Sequence, residues 1–193
     1  MKLTASDLMS LEQYARERPS LRARMIEHRR VRQLCLGEHC TWSFEDRETV
    51  RYQVQEMLRT ERIFEPEGIA EELEAYNPLI PDGRNLKATL LIEYADPVER
   101  ARRLSELRGF ERHCWMRVAG FEPIYAIADE DLARENDTKT SAVHFLRFEF
   151  TGQMLESLKD GGALAAGVDH PHYRHSVDPI GPPLREALLA DFG

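Results

Sequence analysis

AVHFLRFEF (142–150) alternates strictly: His144, Leu146, Phe148 and Phe150 fall on one side of an extended chain, Arg147 and Glu149 on the other. A period of two is the signature of a half-buried strand. His144, on the apolar side, reads as a core histidine with a satisfied hydrogen bond. Working outward, LKATLLIEY (86–94), HCWMRVA (113–119) and FEPIYAIAD (121–129) also read as strands, and GALAAGV (162–168) as a short one. The second half of the chain is therefore mostly sheet.

The first half reads as helices. Thr4 followed by Asp7 resembles a capping box and opens a helix through about Arg18, and Pro19 suits the first turn of a second helix to about Arg30. Two short strands within 31–44 flank Gly37-Glu38; a two-residue hairpin there sets Cys35 opposite Cys40. A long helix covers 46–63, Pro66 starts another, and Asn77-Pro78 stops it. Asp96, Pro97 and Glu99 supply the cap and first turn of a helix ending near Gly109, and Pro182-Pro183 precedes a last one. Helices followed by strands predict one α+β domain over 1–193, mainly helical in 1–80 with the hairpin at 31–44, and mainly sheet in 81–193. The expected architecture is a largely antiparallel sheet with helices packed on one face.

Composition narrows the function classes. Apolar residues make up 42% and charged residues 31%, as in ordinary globular proteins. No apolar run approaches the ~20 residues of a membrane helix. The opening MKLTASDLMSLEQY lacks an apolar leader core, and three cysteines cannot all pair within one chain, so a reducing cytoplasm is expected. The net charge of −8 is uneven: residues 1–32 carry +4 and the remainder −12. That distribution predicts a basic helix docked on acidic elements of the same chain. Nucleic acid is disfavoured, because Tyr14 is the only aromatic near the basic residues.

The helix FEDRETVRYQVQEMLRTERI (44–63) offers the first candidates. At about 100° per residue, Val50, Val54, Met57 and Leu58 form an apolar stripe, with Glu61 in its middle. A carboxylate there is costly unless paired, so Glu61 is expected to be buried against an arginine or a ligand. Glu56 and Arg59 lie on the polar side, where a solvated surface is the plain alternative to a ligand contact.

VDHPHYRH (168–175) offers the second set. Asp169 and His170 directly follow a short strand, and a carboxylate beside an imidazole can fix its tautomer. They are candidate ligand-binding residues and the candidate ligands of a divalent metal, in a pocket shared with polar residues of the long helix. His172 and His175, beyond Pro171, are expected toward solvent after the chain leaves the sheet. A surface loop is the plain alternative. Cys35, Cys40 and His113-Cys114 supply too few thiolates for an iron–sulfur cluster. Neither G-x-G-x-x-G nor a Walker lysine occurs, so no nucleotide motif is present.

FEDRETVRYQVQEMLRTERI, ELEAYNPLIP, LKATLLIEY and VDHPHY, in this order, resemble a bacterial family known as domain-of-unknown-function family 3501. The resemblance spans nearly the whole chain and carries no activity with it. Members are often encoded beside rubrerythrin-like and iron–sulfur oxidoreductase proteins. The resemblance therefore implies an accessory or binding protein near iron or peroxide metabolism, with a redox protein as partner. The other reading is a metal-dependent or small-molecule enzyme with its site around Asp169 and His170. A homo-oligomer is compatible with either.

Overall fold

The computed structural model describes residues 2–128 and 139–193. Thr4 and Asp7 do form a capping box, but it closes only the short 3-10 turn Ala5–Asp7. The first long helix, α1, then runs unbroken over Leu11–Arg30, capped by Ser10. The two helices expected around Pro19 are one. Proline there gives up the N–H that would reach the Ala15 carbonyl, typically costing ~3 kcal/mol. Burial of Tyr14 and Met25 on either side of it offsets that loss.

A hairpin of β1 (Gln33–Cys35) and β2 (Cys40–Glu45) follows, then α2 (Arg47–Glu61) and α3 (Pro66–Tyr76). Cys35 pairs with Thr41, so the turn holds one more residue than the two-residue loop predicted from Gly37-Glu38. A one-residue slip moves every side chain to the other face. Cys35 is consequently exposed while Cys40 is buried, and the two thiols do not share a face. Gly37 accommodates the turn with φ +75, and a Cβ there would sit 2.6 Å from the Tyr173 hydroxyl.

The remainder is β3 (Asn85–Ile92), α4 (Pro97–Glu106), β4 (Cys114–Val118), β5 (Ile124–Tyr125), β6 (Ile127–Ala128), β7 (Val143–Glu149), α5 (Gly152–Lys159), β8 (Leu164–His170), β9 (Tyr173–Val177) and α6 (Pro182–Leu189). The α+β class and the antiparallel pairing hold. The strands, however, divide into two sheets, β1-β2-β3-β7-β6 and β5-β4-β8-β9. The division passes through FEPIYAIAD. Tyr125 pairs with Trp115 in one sheet and Ile127 with Arg147 in the other, so the segment changes sheets at Ala126. Asp129, the end of that predicted strand, lies outside the described residues.

Two half-apolar sheets bury each other's inner faces. Trp42, Phe44, Leu90, Leu146 and Phe148 from the first sheet join Cys114, Met116, Leu164, Ala166 and Val168 from the second in one core. His144 sits in that core fully buried, its Nε2 2.8 Å from the Thr140 hydroxyl, as the alternation predicted. A second, smaller core of Leu3, Val50, Val54, Leu58, Leu73 and Ile80 joins α2, α3 and the N-terminal turn. Ion pairs from α1 and the N-terminal turn to α2, Arg18–Glu56 at 2.7 Å and Asp7–Arg47 at 2.6 Å, fasten the basic segment intramolecularly.

Candidate functional site

Asp169 and His170 end β8, and β9 returns beside it with His170 opposite Tyr173. The chain does not leave the sheet after Pro171. It turns back because Tyr173 is anchored: its hydroxyl donates to the Leu36 carbonyl at 2.6 Å and accepts from the His39 N–H at 3.2 Å. His172 and His175 are exposed, as expected.

Consecutive strand residues point to opposite faces, and Asp169 and His170 take different hydrogen-bond partners. His170 turns inward and is buried. Its Nε2–H donates to the Arg108 carbonyl at 3.1 Å, and its Nδ1 accepts from the His172 N–H at 3.2 Å. Both partners dictate the tautomer, and a second ring proton would face an N–H. Burial, first, lowers the pKa of His170 below its ordinary value. With both nitrogens committed, the imidazole is unsuited to the metal-ligand role expected for it. Among the described residues, no group of three or more histidine, cysteine, aspartate or glutamate side chains is placed to hold a metal ion.

Asp169 instead meets His113, whose Nδ1 is 3.0 Å from Oδ1, and Tyr125, whose hydroxyl donates to Oδ2 at 2.7 Å. Desolvation alone would raise the carboxyl pKa, but the hydrogen bonds from Tyr125 and His113 together hold it below the usual value. The bond to Asp169 pushes the Tyr125 phenol up. The pairing follows from register: Cys114 lies opposite Val168, which brings the preceding His113 beside Asp169. Nothing local in the sequence signals this, because His113 ends the turn before β4 and Asp169 lies on β8, and the pairing of those strands had to be known.

The α2 candidates fare differently. Glu56 is fully engaged: Oε1 accepts from the Tyr14 hydroxyl at 2.5 Å and from Arg18 Nε at 2.7 Å, and Oε2 accepts from Arg18 at 2.8 Å. The Arg18 guanidinium lowers the Glu56 pKa, and burial together with Glu56 drives the Tyr14 phenol up. Arg59 is exposed. Glu61 is exposed as well, not buried against an arginine. It is the last residue of α2, and Arg62 takes a left-handed conformation immediately after it. Ile63, whose N–H returns to the Leu58 carbonyl at 2.9 Å, packs on the small core where the stripe would have continued.

Between α1 and α2 lies a half-enclosed cavity of about 250 Å³. Buried Tyr14, Met25 and Gln55 belong to its lining, and Met9, Leu21 and Tyr52 add apolar surface. Gln55 fixes the N-terminal segment here by accepting from the Met9 N–H at 2.9 Å and donating to its carbonyl at 3.1 Å. The charged lining is Asp7, Arg24, His28, Glu48 and Arg51. Asp7 is held by Arg47, Glu48 by Arg51 at 2.6 Å, and His28 by Asp46 at 2.6 Å. Arg24 has no carboxylate partner among the described residues. Neither Asp169 nor His170 lines this cavity.

The fold and these features define an α+β protein of two antiparallel sheets with a helical groove on one side. The chain belongs to the family described as protein of unknown function DUF3501, whose model matches residues 2–192. It is similar to a protein of unknown function from Burkholderia pseudomallei K96243, known from a crystal structure. The two share 47% identity over 100% of both chains, with a TM-score of 0.94. No curated protein matches the chain.

Proposed function

We propose that the protein is a binding protein whose small-molecule ligand sits in the α1–α2 groove, and that it works as an accessory to a redox partner in iron or peroxide metabolism. The observation that supports the first part is the groove itself, a half-enclosed space of about 250 Å³ lined by Met9, Leu21, Met25 and Tyr52 and by Arg24, which has no carboxylate partner among the described residues. Ligand sites are concave, mostly apolar and carry few polar groups. The chemistry matches a compact molecule with an apolar body and one negative charge. The second part rests on the family resemblance.

Benzoate is a suitable probe, and isothermal titration is the test. A ligand of that size binding through most of its atoms gives a dissociation constant on the order of 1 mM. Arg24→Ala is expected to weaken it, and Leu21→Trp, which fills the groove, to abolish it. Heat that is unchanged by both substitutions contradicts the groove as the site. For the second part, titration with a purified rubrerythrin-like protein is expected to give saturable binding, and no heat at high concentration counts against it.

A further inference from the structure

We propose that Asp169 and His113 form a proton-accepting dyad, in which Nε2 of His113 takes a proton from water or from the hydroxyl group of a small molecule. This inference is independent of the α1–α2 groove. An ionised carboxylate can only accept, so the 3.0 Å contact places the ring hydrogen on Nδ1 of His113. In its neutral form the imidazole then carries its lone pair on Nε2, which has no hydrogen bond among the described residues. The ring is 40% exposed and open to a ligand.

Three neighbours make the arrangement more than a chance surface contact. Tyr125 donates to the second carboxylate oxygen at 2.7 Å, so both oxygens of Asp169 are engaged when the carboxylate meets the ring. His170 meets the ring of His113 edge-on at 5.0 Å between centroids, and it is locked neutral by its own two hydrogen bonds. Tyr125 and Ile127, which flank the Ala126 N–H bonded to the Cys114 carbonyl, are both exposed. The other aspartate–histidine pair, Asp46 with His28, lacks this character. Asp46 also caps α2 through the Thr49 N–H at 2.8 Å and faces Arg32 at 3.4 Å, so its charge is already used. Among the described residues, no arginine or lysine pairs with Asp169. The cation that its charge meets among the described residues is the imidazolium that forms when His113 takes a proton.

The step is simple to balance. The O–H bond breaks, an N–H bond forms at Nε2, and the electron pair stays on oxygen, which becomes the nucleophile. The imidazolium later returns the proton to solvent or to a leaving group. Asp169 acts as the positioning residue and His113 as the acceptor.

Carbethoxylation by diethyl pyrocarbonate, followed histidine by histidine by mass spectrometry, reads the availability of each ring lone pair on the whole folded chain. His113 is expected to react several-fold faster than the exposed His172 and His175, which serve as internal references, by analogy with other oriented imidazoles. Asp169→Asn is expected to slow His113 by about tenfold, the usual scale for losing an orienting partner, while the reference histidines are unchanged. Tyr125→Phe is expected to slow it by a smaller factor, and covers the case in which Asp169→Asn melts early. Equal rates at His113, His172 and His175 in the native chain, or no response to either substitution, would overturn the dyad.

Discussion

Among the acidic residues of α2, position along the helix decides what each one costs to remove. Glu56 and Glu61 share a helix and a charge, yet only Glu56 meets partners from α1. Glu56→Ala would leave the buried Tyr14 hydroxyl unsatisfied, so a loss of about 2 kcal/mol in urea unfolding is expected. The Arg18 contact adds little to that, being partly exposed. Glu61→Ala is expected to change stability by less than about 0.5 kcal/mol. The reverse order would show that the α1–α2 contact is not held as described. The helical stripe was legible in the sequence, but where the helix stops being covered was not, because that depends on where the chain turns at Arg62.

Asp191 gives a residue-scale prediction in pH. Burial raises its carboxyl pKa from 3.8 to about 6, and Arg32, which it contacts, only partly counters this. Arg32 is shared with Asp46, which in turn holds His28. A folded pKa above the unfolded one means that the native state holds the proton more tightly. The stabilising contribution is therefore complete below the unfolded value and is lost as pH rises through about 6. The native chain should therefore lose stability relative to Asp191→Asn from pH 4 to pH 7 in denaturation series. A gain relative to Asp191→Asn over that range contradicts the assignment.

At the scale of elements, local signals were readable and pairing was not. The caps at Asp96 and Pro66, the strand alternation of β7 and the polar stop at Asn77-Pro78 all depend on neighbours in sequence. The turn length in the β1–β2 hairpin, the sheet change at Ala126 and the return of β9 depend on contacts made from elsewhere in the chain. The dyad at Asp169 belongs to the second group, since it exists only once β4 pairs with β8. That pairing has a tight point. A Cβ on Gly167 would lie 2.5 Å from the Trp115 ring and 2.9 Å from the His175 carbonyl. The ring can swing aside, but the carbonyl belongs to the β8–β9 ladder. Gly167→Ala should therefore cost roughly 1–3 kcal/mol and slow His113 carbethoxylation with it. A neutral Gly167→Ala variant would mean that the two strands are less closely held.

Over the whole molecule, two cores divide the work. The larger one, between the sheets, holds Trp42 fully buried and stacked on Phe148 at 5.2 Å between ring centroids. Truncating such a residue typically costs ~3–5 kcal/mol, so Trp42→Ala should unfold the protein at far lower denaturant. The smaller core supports α2, α1 is fastened to that helix by Tyr14 and Arg18, and the segment before α1 by Gln55. Of the basic residues of α1, Arg18 meets Glu56 and His28 meets Asp46. The groove itself was not legible beforehand, because its walls come from residues that look merely amphipathic until α1 and α2 are set side by side. The most direct measurement is amide chemical-shift mapping of the isotopically labelled protein during titration with benzoate. Saturable shifts confined to Met9, Leu21, Met25, Tyr52 and Gln55 and their neighbours are predicted. Shifts centred on the β8–β9 turn, or none at several millimolar benzoate, would contradict a ligand site between α1 and α2.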